Sequence, residues 1–111
     1  MGAYNTVIVD QVCPGCHNRV EVRIQFKYGD TWQYTYHVGD YLKWGGNSIG
    51  EPGAKQVIAD GVVEEERCPV CKYEWPDYEV WIEDDKIVDV RTASGKFDFV
   101  GLHKSYIVLQ P

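Results

Sequence analysis

The chain has no apolar run near the ~20 residues that a membrane-spanning helix needs. It has no i, i+3, i+4, i+7 apolar stripe bounded by caps, which argues against helices altogether. Its three serines, Ser48, Ser94 and Ser105, include none in a G-x-S-x-G setting. The glycine-bearing stretch Gly45–Ala54 lacks the G-x-x-x-x-G-K-[ST] order of a phosphate-cradling loop. No basic segment followed by an apolar one opens the chain, so a secretory signal is not expected and the default compartment is cytoplasmic. Met1-Gly2-Ala3-Tyr4-Asn5-Thr6 fits the N-myristoylation pattern, but no polybasic patch follows to make membrane anchoring stable.

Positive charge is also scarce. Eleven basic residues stand against seventeen acidic ones, for a net charge of −6. The imbalance is local. Asp60 to Asp89 holds eleven acidic and three basic residues, a net of −8, leaving +2 for the rest of the 111 residues. Such a field repels a phosphate backbone and speaks against a nucleic-acid role.

What is present is alternation and cysteine. Asn5–Val12 reads as a first strand. Val20, Val22, Ile24, Phe26 and Tyr28 alternate with polar residues, as do Trp32, Tyr34, Tyr36 and Val38. These two runs predict a hairpin around Gly29-Asp30, and keeping apolar side chains on one face requires Tyr28 opposite Trp32, Phe26 opposite Tyr34, and Ile24 opposite Tyr36. Gln56–Arg67 reads as strand broken near Asp60-Gly61. Asp77–Glu83 and Lys86–Thr92 form a second hairpin, with Val80 opposite Val90 and Ile82 opposite Val88. Lys96–Val100 and Ser105–Leu109 are further extended segments. The expected architecture is all-β, one domain over 1–111, built as two packed antiparallel sheets or a partly open barrel.

The only cysteines are Cys13-Pro14-Gly15-Cys16 and Cys68-Pro69-Val70-Cys71. Paired C-x2-C turns bring four thiolates to one tetrahedral metal, with zinc as the first expectation and iron, which takes the same geometry, as the second. A glutaredoxin-like reading of C-P-x-C needs a helix N-terminus to activate the thiol, and Arg19–Lys27 reads as strand instead. Two disulfides suit a reducing compartment least. These turns resemble the zinc knuckles of the zinc-ribbon and rubredoxin-like group, with His17 and Lys72 in the place where that group commonly has glycine. The resemblance covers the two turns, and the 51 residues between Cys16 and Cys68 would hold an inserted hairpin.

Four cysteines already fill a zinc ion, so His17 reads as a surface residue, and His37 and His103 have no visible partner. A closed site leaves no coordination position for water, which argues for a non-enzymatic protein. The candidate contact residues are Trp44 and Asn47 by the Gly45–Ala54 loop, the acidic run Glu64, Glu65 and Glu66, and Trp81 on the odd face of its strand. The composition predicts a zinc-binding β module that meets a basic protein partner, as an inhibitor or immunity-type protein would. Two other classes stay open: a rubredoxin-like iron protein in electron transfer, and a zinc-ribbon nucleic-acid binder. Nothing in the pattern specifies an oligomer.

Overall fold

A computed structural model describes residues 4–65, 67–96 and 105–111. These residues form strands and turns and no helix. The strands are β1 (Asn5–Val12), β2 (Arg19–Phe26), β3 (Gly29–Asp30), β4 (Thr35–His37), β5 (Ser48–Ile49), β6 (Gln56–Val63), β7 (Tyr78–Glu83), β8 (Lys86–Thr92) and β9 (Tyr106–Gln110). Seven of them make one curled sheet in the order β4-β1-β2-β6-β7-β8, with β9 also on β6, and β3 pairs with β5 as a small second sheet. Most of Lys96–Val100, together with Glu66 and His103, lies outside the described residues.

The sheet curls because period-2 patterning puts one apolar face inside. Val7, Ile24, Phe26, Ala59, Tyr78, Val80 and Ile82 are buried in one core. Full burial of side chains such as Ile24 or Phe26 contributes about 1.5–3 kcal/mol each. The curl is drawn together at one end by Gly39–Leu42, which bonds to the start of β8: Gly39 N–H to Ile87 O (2.7 Å), Ile87 N–H to Asp40 O (3.0 Å) and Leu42 N–H to Asp85 O (2.7 Å). The result is the partly open barrel of the two architectures expected.

The first expected hairpin does not form. β2 pairs instead with β1, antiparallel over eight residue pairs from Asn5–Phe26 to Val12–Arg19, and β4 lies on the other side of β1, parallel to it. The six-residue cysteine turn between β1 and β2 makes their pairing the most local one. Positive φ at Gly29 and Gln33 turns the chain away from a direct return. Parity was still right about the face, since Tyr36, Val7, Ile24 and Val63 form one cross-strand row with Val7 between the two residues expected to be neighbours.

Two other pairings also differ. β6 runs unbroken through Asp60-Gly61, where its edge changes partner from β9 (Gln56–Ala59) to β2 (Val62, Val63). A Cβ on Gly61 would sit 2.8 Å from Ile24 Cγ2 and 3.0 Å from Tyr78 O, so the crossing point needs glycine. In the second hairpin Val80 does face Val90, but Ile82 faces Ile87 rather than Val88. Asp84 and Asp85 both take positive φ (50° and 64°), giving the two-residue turn that matches strand twist. A bulge at Val88 then restores the apolar register.

Candidate metal centre

Each cysteine turn caps an antiparallel pair: Cys13–Cys16 joins β1 to β2, and Cys68–Cys71 joins β6 to β7. β2 and β6 are neighbours through Ile24–Val63 and Gln25–Val62, followed by Glu64 N–H to Arg23 O (2.9 Å). Past that bond the two pairs separate, and a cleft bordered by Val20, Val22, Glu65, Arg67 and Trp75 opens between them. The cysteines close the far end of this split.

The two turns have the same backbone. His17 N–H bonds to Cys13 O (2.8 Å) and Lys72 N–H to Cys68 O (3.0 Å); Cys13 N–H bonds to Asn18 O (2.9 Å) and Cys68 N–H to Tyr73 O (2.7 Å). His17 and Lys72 take φ of 59° and 67°, the left-handed region glycine enters most easily. Both turns therefore aim two sulfurs the same way.

The four sulfurs lie within 4.8 Å of one another, with Cys13 and Cys71 3.5 Å apart and Cys16 and Cys68 3.9 Å apart. Thiolates bound at ~2.3 Å around a tetrahedral ion are about 3.8 Å apart, so the donor set fits one such ion. Cys13 and Cys68 are fully buried, Cys16 is half-buried and Cys71 is exposed. Burial opposes ionisation of Cys13, yet the Cys16 and Gly15 N–H groups and the Cys71 and Cys68 thiols outweigh it and draw that thiol down to about 7. At Cys71 the Tyr73 N–H favours the thiolate, but burial and the three other sulfurs push the thiol up to about 12. Four sulfurs this close cannot all ionise without a cation among them, so loading the site must displace protons.

Gly15 was not singled out by sequence. A Cβ there would lie 2.8 Å from Cys71 Sγ, so the absence of a side chain lets the second turn's sulfur seat against the first turn. Val70, at the matching position, is 60% exposed. A glycine in one C-P-x-C and not the other was the available signal.

The remaining candidate residues sit on separate elements. Trp44 is half-buried with its ring edge-on to Tyr28 at 5.4 Å. Asn47 holds the loop: its side-chain amide donates to Thr31 O and Thr31 Oγ1, and its backbone N–H donates to Asp30 Oδ1. The Gly45–Ala54 loop is further fixed where Tyr28 donates to Glu51 O (2.9 Å) and Gly53 N–H meets the Asp85 carboxylate. Glu64 and Glu65 are exposed just past β6. Trp81 is half-buried under the Arg91 guanidinium, 4.2 Å from the ring centre. Among the described residues no helix is long and apolar enough to cross a membrane. No protein-family model, curated protein or solved structure matches this chain, so the four-cysteine geometry stands as that of a knuckle-like metal site without a family attached.

Proposed function

We propose that this chain is a non-enzymatic module in which zinc is architectural and an acidic surface receives a basic protein partner, in the manner of an inhibitor or immunity-type protein. The observation that carries the reading is the closed donor set. Four sulfurs within 4.8 Å of one another leave a tetrahedral ion no position for water or substrate. The ion then serves to hold two β pairs that part beyond Glu64. Partner binding is supported by the −8 region from Asp60 to Asp89 and by exposed Glu64, Glu65 and Glu74. Exposed Trp32 and Tyr41 add the aromatic area common in protein contacts. Four thiolates around a divalent ion add two more negative charges, which disfavours nucleic acid further.

The test has two arms. Elemental analysis should give one zinc per chain and a colourless protein; visible thiolate-to-iron absorption would replace zinc by iron and reopen electron transfer. Tagged protein should then capture a stoichiometric basic partner from its native host, and charge reversal across Glu64–Glu66 should release it. No such partner, with no phenotype from the reversal, would end the reading.

A further inference from the structure

Among the described residues the barrel wall is also open between β1 and β8. β4 covers β1 only over Thr6–Ile8, so past Ile8 that edge of β1 has no strand beside it among the described residues. Across the gap, Gly39–Leu42 covers the outer edge of β8 only at Asp85–Ile87. Between the two edges lies a recess of about 330 Å³, lined by Ile8 to Gln11, by Val38, and by Asp89 and Val90.

Alternation fixes what the recess presents. Val9 and Val90 turn inward and pack against the core, forming an apolar floor. Asp10 is exposed on the rim of β1, and Asp89 belongs to the outward row that includes Trp81. Thr6 N–H donates to Tyr34 O on the β4 side, so the Asp10 and Val12 N–H groups point to that same side, where the ladder has ended. On β8 the Val90 N–H is taken by its neighbour's carboxylate, Asp89 Oδ1, at 2.8 Å. Arg91 Nε holds the other oxygen of Asp89 at 2.7 Å. An edge donor satisfied by an adjacent carboxylate is guarded against chance pairing and is still available to a better acceptor.

Charge selects the occupant. Asp10 faces Glu21 across the β1–β2 ladder and has no ion pair among the described residues, whereas Asp89 on the opposite rim is paired with Arg91, so the uncompensated charge of the recess is negative. We infer that the recess takes an extended segment of a partner protein, apolar and basic in alternation, which adds as a strand between β1 and β8. Its apolar side chains rest on Val9 and Val90, and a Lys or Arg on its outer face reaches Asp10, whose carboxylate, unlike that of Asp89, is not already held by an arginine. Strand addition of this kind draws affinity from main-chain bonds and specificity from alternate side chains. The inference rests on the protein-binding reading and gives it a location.

The metal-loaded protein is titrated with two capped hexapeptides, alternating Val-Lys and alternating Val-Glu, while backbone amide NMR signals are followed. The Val-Lys peptide should shift and protect amides within Val9–Val12 and Val88–Thr92, and bind at least about tenfold more tightly than Val-Glu. Asp10→Lys, which gains an opposite charge facing Glu21, should keep the fold and lose that preference. Asp10→Pro, which removes an N–H that no strand among the described residues uses, should weaken binding on its own. Equal binding of the two peptides, shifts confined to other elements, or no saturable binding would overturn the site. A host partner that binds stoichiometrically while these amides stay unchanged would overturn the site and leave the binding-module reading standing. Peptide addition here with no host partner would do the reverse.

Discussion

In the first cysteine turn Pro14 and Gly15 separate the ligands; in the second, Pro69 and Val70 do. Both turns repeat the same two backbone hydrogen bonds and the same left-handed residue after the second cysteine. They differ in what surrounds that backbone. The first gives up a side chain at Gly15, so that Cys71 Sγ can seat against it. The second carries Val70 into solvent and leaves Cys71 exposed. Two turns of one conformation can therefore have unequal tolerance to change, because conformation is local and the fit between sulfurs is not.

The largest effect should come from removing a buried ligand. Cys13→Ser or Cys68→Ser should abolish stoichiometric metal binding and cost the larger part of the ~5–15 kcal/mol that holds a domain folded. Thermal melts and metal content read both. β2 and β6 share only a few bonds, so hydrogen exchange should rise first around Val20–Arg23 and at the second turn, and last where Gly39–Leu42 meets β8. Equal protection at the two ends after metal removal would show that the clamp carries little of the load. Because thiol protons must leave, with Cys71 pushed up to about 12, metal affinity should fall steadily as the pH drops below neutral in a chelator competition.

Next in size is the pair of central residues. Gly15→Ala places a methyl 2.8 Å from Cys71 Sγ and should cost about 1–3 kcal/mol, with weaker metal retention. Val70→Ala, at an exposed site, should stay within about 0.5 kcal/mol. Equal losses from the two substitutions would mean that the turns are interchangeable after all.

Much of this was legible in sequence, for reasons that also mark where legibility ended. Period-2 alternation gave β1 its bounds and assigned the inward faces of β2 and β4, since those depend only on neighbours along the chain. It could not name the strand between Ile24 and Tyr36, because parity fixes a face and leaves the partner open, and Val7 took that place. The Val88 bulge was hidden for a related reason: a two-residue turn at Asp84-Asp85 and a three-residue loop leave the same apolar pattern once one residue is looped out. The ligands were legible because C-x2-C spacing is itself the turn. The Gly15 contact was not, because it lies between residues 56 apart in sequence.

The left-handed residues offer a smaller and symmetric test. His17 and Lys72 both bear a side chain at positive φ, a conformation that costs an L-residue about 1–2 kcal/mol, offset in part by the entropy a glycine loses on folding. His17→Gly and Lys72→Gly should each therefore raise stability by about 0.5–1 kcal/mol, by similar amounts, and additively in the double variant. A gain in one turn only would show that His17 or Lys72 makes a contact that outweighs its backbone.

The stem beneath the second turn carries a half-buried carboxylate with a raised proton affinity, and this should give the smallest effect. Asp60 is half-buried on β6, where burial first and the nearby Asp77 charge second raise its affinity for a proton. A carboxyl with a raised folded pKa stabilises the fold while protonated and loses that contribution as pH climbs through the folded value, so at neutral pH the charged form is a cost. Asp60→Asn should then stabilise the protein at neutral pH by less than either glycine substitution, and the gain should shrink as the pH falls and the native carboxyl takes up its proton. Asp77→Asn should recover only part of it, because burial is the larger cause. If Asp77→Asn instead matched Asp60→Asn, repulsion between the two carboxylates would be the dominant strain in the second stem, and burial the lesser one.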